Sequence, residues 1–153
     1  LIAVSDSKSL GGNRGYEIVV TARRKSGQLI MADAEIDGVR VEVVIDTGSD
    51  VSIGNPALQR KLFRRGHQEQ TTLNSVTGQS IAASLGFART LTIDNVTFGN
   101  VMIAFADSPA FAALGLDRKP ALLLGMRDLR QLDRVAIDFS TRRIFFDLPD
   151  KAF

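Results

Sequence analysis

The residues best suited to chemistry are Asp46, Thr47, Gly48 and Ser49, which directly follow the apolar residues 43–45. A carboxylate at the buried end of an apolar strand loses its hydration, so it must be hydrogen-bonded or neutralised. One interpretation is structural, because Asp often accepts backbone N–H bonds in turns and the bare triplet Asp-Thr-Gly is common. The other interpretation is a catalytic carboxylate held in a dry, rigid loop.

The small residues after the acid favour the catalytic interpretation. Thr47 can lock the loop by hydrogen bonding across to a partner. Gly48 lets a substrate backbone approach closely, because a Cβ there would block it. Ser49 can hydrogen-bond the outer oxygen of Asp46, which favours the ionised carboxylate and predicts an acidic to mildly acidic optimum for any reaction at this site.

Composition excludes several other classes of function. The chain has 153 residues, which favours a single domain with a substantial core. Its 19 Lys and Arg against 17 Asp and Glu give a net charge of +2, too small a surplus to indicate a nucleic-acid partner. With no cysteine and one histidine, a thiolate nucleophile, a disulfide framework and a metal site are not expected.

The remaining pattern predicts mostly strands. Residues 1–15 are polar and Gly-rich and are interpreted as an arm or linker, and residues 16–153 as one domain. Asp37 and Gly38 between two apolar runs predict a hairpin. A second hairpin, around residues 140–141, is predicted to close the domain and gives Asp138 a structural role. A long alternating stretch is predicted to turn one face inward, carrying Ile81, Ala83, Leu85, Phe87, Leu91 and Ile93.

Two or three short helices interrupt the strands. Asn55 suits an N-cap, Pro56 the first helical position and Gly66 the C-terminal stop. A second helix is predicted to start at Ser108 and Pro109, and a third after residues 120–125.

Two segments together resemble a known family. "VVIDTGSDVSI" is similar to the active-site loop of the aspartic peptidases, and "ALLLGMRDL" resembles the second signature of their retropepsin branch. Between them, "NSVTGQSIAA" occupies the place of the flap hairpin. The resemblance covers roughly residues 28–148, and the layout is similar to that of bacterial single-domain retropepsin-like proteases. It implies a mostly β, closed-barrel acid-protease fold with a flap hairpin.

The resemblance implies an aspartic endopeptidase that needs no cofactor and no metal. Two carboxylates share one proton: one takes a proton from water, and the other donates a proton to the scissile carbonyl. The chain has a single Asp-Thr-Gly, so the resemblance implies a homodimer in which Asp46 of each subunit meets at a two-fold axis. Residues 1–15 and the terminal stretch "RRIFFDL" are candidates for its interface.

Further site residues follow from the resemblance. Asp50 is expected to pair with Arg127 beside Gly125, although Met126 puts that arginine one residue further from the glycine than in the retroviral pattern.

The resemblance also assigns substrate contacts. Val76, Thr77 and Gly78 of the flap are expected to cover the backbone of a peptide substrate. Ile53 and Leu124 either line its subsites or belong to the core, and the sequence leaves both interpretations open.

Two alternatives stay open: one half of a fused two-lobed protease, or a non-catalytic module of the same fold that binds peptides or mediates dimerisation. The residues do not fix the compartment. The resemblance implies a periplasmic or membrane-anchored location, through a segment upstream of Leu1.

Overall fold

The computed structural model describes residues 2–5, 18–25, 27–63, 68–74 and 80–148. Strands dominate, as the sequence predicts. They are β1 (Ile2–Ser5), β2 (Ile18–Thr21), β3 (Arg23–Lys25), β4 (Gln28–Ile36), β5 (Val39–Ile45), β6 (Ser52–Gly54), β7 (Gln68–Asn74), β8 (Ser80–Ile93), β9 (Val96–Phe105), β10 (Ala121–Leu124), β11 (Arg134–Asp138) and β12 (Arg143–Asp147). The helices are α1 (Pro56–Phe63), α2 (Pro109–Ala113) and α3 (Met126–Leu129).

Six strands close into a barrel. Their order is β4-β5-β10-β6-β9-β8, and the pairing of β8 with β4 completes the ring. Inward side chains fill it, and Val43, Leu91, Phe98 and Leu122 are each fully buried. The predicted closed-barrel fold with short helices is therefore confirmed. None of the helices in the described part of the chain is long and apolar enough to cross a bilayer.

A second sheet has the order β1-β11-β12-β2. Strand β12 lies inside it, hydrogen-bonded to β11 on one edge and β2 on the other, and Phe145 and Phe146 are buried. The C-terminal stretch suggested for a dimer interface is thus already paired within its own chain. Residues 2–5, expected to belong to an arm, form β1 and pair in parallel with β11.

Local capping signals place the two longer helices. Asn55 is fully buried, and its side-chain oxygen accepts a hydrogen bond from Leu58 N at 2.9 Å, so the predicted N-cap of α1 is confirmed. Ser108 caps α2 in the same way, accepting from Ala110 N at 3.4 Å. The predicted stop at Gly66 lies outside the described residues.

The inward face of β8 differs from the prediction. Leu91 is buried as expected, but Phe87 is 51% exposed, and its neighbour Ala88 points inward instead. The alternation changes phase around Arg89, whose N–H group hydrogen-bonds the carboxylate of Asp37 in the preceding hairpin. A contact this distant in sequence leaves no trace in the local hydrophobic pattern.

Candidate active site

The candidate site begins where β5 leaves the barrel. Residues 43–45 are buried, and the half-buried Asp46 is the first residue beyond the strand. The neighbouring strand β10 runs parallel to β5, with Leu124 opposite Ile45. Asp46 N donates to Leu124 O at 2.9 Å. The two signature segments, far apart in sequence, therefore lie side by side.

The loop turns sharply after the acid. Gly48 N donates to Asp46 Oδ1 at 3.1 Å, and Ser49 N donates to the Asp46 carbonyl at 3.3 Å. The first bond holds one carboxylate oxygen against the loop backbone, and the second closes the turn through the main chain. Thr47 and Gly48 lie exposed at the tip of this turn.

Strand β10 and the start of α3 continue along the loop. Met126 N donates to Ser49 O at 2.8 Å, and Arg127 N donates to Asp50 O at 2.9 Å. At Gly125 the two segments are so close that an added Cβ would lie 2.5 Å from Asp50 O. Gly125 has φ −91°, so lack of space rather than backbone conformation requires glycine here.

A buried polar pair that sequence reasoning missed lies behind the loop. Ser52 is 0% exposed and Asp128 is 1% exposed. Ser52 Oγ donates to Asp128 Oδ2 at 2.5 Å and accepts from Gly125 N at 2.9 Å. Burial raises the pKa of Asp128, while the hydrogen bond from Ser52 opposes that shift. The only sequence signal was Ser52 between the apolar residues Val51 and Ile53, because Asp128 follows Arg127 and has the pattern of an ordinary helical surface residue.

The predicted ion pair between Asp50 and Arg127 is not formed. Asp50 Oδ1 instead lies 3.1 Å from Nη1 of Arg130, and both side chains are largely exposed. Arg127 serves the loop through its backbone N–H alone. Arg130, the residue that directly follows α3, takes the place beside Asp50 that the sequence assigned to Arg127.

Ser49 also differs from expectation. Its Oγ donates to Val51 O at 2.8 Å, so its single hydroxyl proton is bound within the loop backbone and not to Asp46. The hydroxyl therefore stabilises the loop's own conformation, and the acidic optimum predicted from a bond to the carboxylate loses that support.

An apolar cavity of about 330 Å³ adjoins the candidate acid. Its lining comprises Gln28, Val44, Ile45, Asp46, Ala110, Ala113, Leu114 and Leu123. The walls come from β5, β10 and α2, so the short helix closes one side of the space next to the carboxylate.

The two residues expected to line subsites have different surroundings in the structure. Leu124 is 0% exposed and belongs to the barrel core, and its neighbour Leu123 faces the cavity. Ile53 is half-buried and packs against the small apolar cluster around Phe111 beside the cavity. The flap residues Val76, Thr77 and Gly78 lie outside the described residues. Strands β7 and β8 pair up to Asn74 and Ser80 on either side of them.

The arrangement places the half-buried Asp46 carboxylate on a hydrogen-bonded loop beside an apolar cavity, while the other acid of that loop, Asp50, is paired with Arg130. Asp138 does not supply a second one, because it lies in the other sheet and accepts hydrogen bonds from Ser140 and Thr141. Within the described residues, no group of three or more His, Cys, Asp or Glu side chains is arranged to hold a metal ion.

The closed barrel, with an Asp-Thr-Gly loop bonded to an apolar-glycine segment, defines the retropepsin-like class of acid-protease folds. The crystal structure of a retropepsin-like aspartic protease from Rickettsia conorii is similar, with a TM-score of 0.62 over 86% of this chain and 89% of that chain. The two sequences are 19% identical, so this likeness concerns the fold.

The sequence itself identifies the family. The family model described as aspartyl protease matches residues 32–127, which is more than half of the chain. The chain therefore belongs to the retropepsin-like aspartyl protease family. Comparison with curated proteins gave no match.

Proposed function

We propose that the protein is an aspartic endopeptidase that acts as a homodimer, with Asp46 of each subunit forming the catalytic pair. The observation that carries this proposal is the bonding of the Asp46 loop to the second signature segment, which presents one carboxylate at the edge of a rigid barrel. Since the sequence contains one Asp-Thr-Gly, a second copy of the chain supplies the other acid.

The chemistry needs only these two groups and water. Two carboxyl groups a few ångströms apart cannot both ionise, so the pair holds one proton. The ionised carboxylate takes a proton from a water molecule. The oxygen of that water molecule attacks the scissile carbonyl carbon. The protonated carboxyl gives its proton to the carbonyl oxygen. The carboxyl group that took the proton from water then gives it to the nitrogen of the tetrahedral intermediate, while the other carboxylate takes back a hydroxyl proton. The C–N bond breaks, an amine and an acid are released, and the pair again holds one proton.

The cavity beside Asp46 supports a peptide substrate with an apolar side chain next to the cut. Its 330 Å³ volume suits a side chain of medium size, and its walls are largely aliphatic. An extended peptide would lie over the loop, with Gly48 leaving room for its backbone. Thr47 would bond across to the partner's loop, and residues 76–78 would cover the substrate.

The decisive test is cleavage profiling of a peptide library by mass spectrometry at several pH values, with and without a pepstatin-type statine inhibitor. The wild-type chain is expected to cleave and to be inhibited. Asp46→Asn keeps the side-chain shape but removes the acid, so cleavage should be lost. Asp117→Asn, at an exposed turn, is the matched control and should cleave normally. Cleavage that survives Asp46→Asn, or an inactive wild type, would overturn the proposal.

The dimer is tested separately by sedimentation. The active species is expected to have twice the 16.6 kDa chain mass, and specific activity should fall on dilution as dimers dissociate. Full activity in a species of monomer mass would refute the shared site.

A further inference from the structure

Asp128 differs from the other buried carboxylates in the described residues. Asp147 is paired with Arg134, and Asp138 accepts hydrogen bonds from both a hydroxyl and backbone N–H groups. Asp128 is 1% exposed, accepts one bond from Ser52, and its buried Oδ1 meets no hydrogen-bond partner in the described structure. A buried carboxyl group with so little compensation is costly and requires an explanation.

Its position relates it to the candidate active site. The loop of residues 46–51 is bonded to Leu124 at its start and is followed directly by Ser52. Ser52 Oγ joins two groups of the second signature, accepting from Gly125 N and donating to Asp128. This three-residue link therefore fastens the far end of the loop to the segment that already holds its beginning.

We propose that Asp128 is a positioning residue that works as a neutral carboxylic acid, holding the Asp46 loop in register with the second signature through Ser52 and Gly125. The inference rests on the proposed aspartic protease function. Asp128 is buried behind the loop, so it acts through the loop and not on substrate.

The surroundings of Asp128 favour the neutral form. An ionised carboxylate would leave Oδ1 charged in a dry site without a donor, which costs more than leaving a neutral oxygen unpaired. Burial is the largest influence and raises the pKa of Asp128. The hydrogen bond from Ser52 and the positive charge of Arg127 oppose this, and the negative charge of Asp50 adds to it. Asp50 is itself paired with Arg130 at the surface.

Ionisation of Asp128 should weaken the hold on the Asp46 loop as pH rises. Because the pKa of Asp128 is higher in the folded than in the unfolded chain, its neutral form contributes stability that is fully present below the ordinary carboxyl range. That contribution is lost as pH rises through the folded pKa. The Asp46 loop is therefore held most firmly at acidic pH. This is a reason, independent of Ser49, to expect peptide cleavage to have an acidic pH optimum.

The test compares Asp128→Asn, a neutral side chain of the same shape, with Asp128→Ala and with Asp117→Asn as the exposed control. Asp128→Asn should keep kcat within about threefold of wild type in acid and lose less activity as pH rises. Asp128→Ala should lower kcat about tenfold with little change in KM, because positioning is lost while the cavity is unchanged. If Asp128→Ala does not fold, Ser52→Ala takes its place with the same expected loss.

A second measurement does not depend on catalysis. In the Asp46→Asn background, thermal unfolding is followed from pH 3 to pH 8 with and without Asp128→Asn. The substitution should flatten the decline in Tm that accompanies ionisation of Asp128. An Asn variant as impaired as the Ala variant, or an unchanged pH dependence of Tm, would overturn the inference. An inactive wild type with a flattened Tm profile would instead refute the protease while leaving the neutral acid supported.

Discussion

Asp46 N donates to the Leu124 carbonyl across 2.9 Å, which joins the two signature segments at the residue that carries the acid. Two further backbone bonds, from Met126 to Ser49 and from Arg127 to Asp50, continue the contact along the loop. The orientation of the Asp46 carboxylate is thus set by the strand that begins at residue 121 as much as by its own loop. Changes in the second signature are expected to reach the acid without touching it.

Gly125→Ala is the sharpest test of that coupling. The added Cβ would lie 2.5 Å from Asp50 O and 2.8 Å from Val51 C, both of them backbone atoms that cannot rotate away. The loop must shift, and we expect a loss of roughly 1–3 kcal/mol in the free energy of unfolding. Peptide cleavage should fall at the same time, because Asp46 moves with its loop. Urea titration and steady-state kinetics measure the two effects.

Gly99→Ala provides the matched control for this change. Its added Cβ would find its nearest neighbour, Arg89 O, at 4.0 Å, so the same substitution meets ordinary space. The control should retain wild-type cleavage. If Gly125→Ala proves as stable and active as Gly99→Ala, the loop is not held by close contact with the second signature.

Arg130, and not Arg127, is expected to be coupled energetically to Asp50. The pair is 3.1 Å apart but largely exposed, so a double-mutant cycle with Asp50→Ala and Arg130→Ala should give about 0.2–1 kcal/mol. Raising the salt concentration should reduce that coupling. The parallel cycle with Arg127→Ala serves as the control and should give the smaller value. A larger coupling to Arg127 would restore the pairing predicted from the sequence.

Features governed by short-range signals were predictable from the sequence. Asn55 and Pro56 begin α1, and residues 37–38 form a hairpin, because capping and turn preferences act within a few residues. The Asp-Thr-Gly triplet and the second signature were also evident, since in both an apolar strand and a glycine are followed by a turn or a helix. These local patterns were enough to indicate the barrel and the position of the candidate acid.

Features decided by distant contacts were not. Phe87 is exposed because the phase of β8 changes where Asp37 binds its backbone, and Leu123 instead of Leu124 faces the cavity because the pairing of β10 with β5 decides which side faces the core. Ser52 and Asp128 meet across 76 residues of sequence. Such a pair resembles two unrelated polar residues until the chain has folded.

Asp138 should give a pH dependence opposite in sign to that of Asp128. The Ser140 hydroxyl, which donates to it at 2.7 Å, is the main reason that the pKa of Asp138 lies below its usual value. A depressed folded pKa contributes stability above the ordinary carboxyl range, and that stability is lost as pH falls through the folded value. Ser140→Ala should therefore lower Tm at neutral pH, and the difference from wild type should vanish in strong acid.

Thermal unfolding of the wild type and Ser140→Ala between pH 7 and pH 2 measures this effect. In an Asp138→Asn background, which has no carboxyl group to titrate, the Ser140→Ala effect on Tm should no longer vary with pH. A constant difference across the range in the chain that retains Asp138 would mean that the hydroxyl stabilises the hairpin without acting on the carboxylate.

Ala113 is expected to set the size of side chain accepted next to the cut. It lies on α2 and lines the cavity beside Asp46, so Ala113→Leu places extra methyl and methylene groups in that space. The ratio of kcat/KM for a peptide with Phe flanking the cut to that for one with Ala should fall about tenfold, because a bulky group no longer fits. Ala112→Leu changes the neighbouring exposed position, which does not line the cavity, and should leave the ratio unchanged. Equal ratios in the two variants would mean that the cavity beside Asp46 is not where the substrate side chain binds.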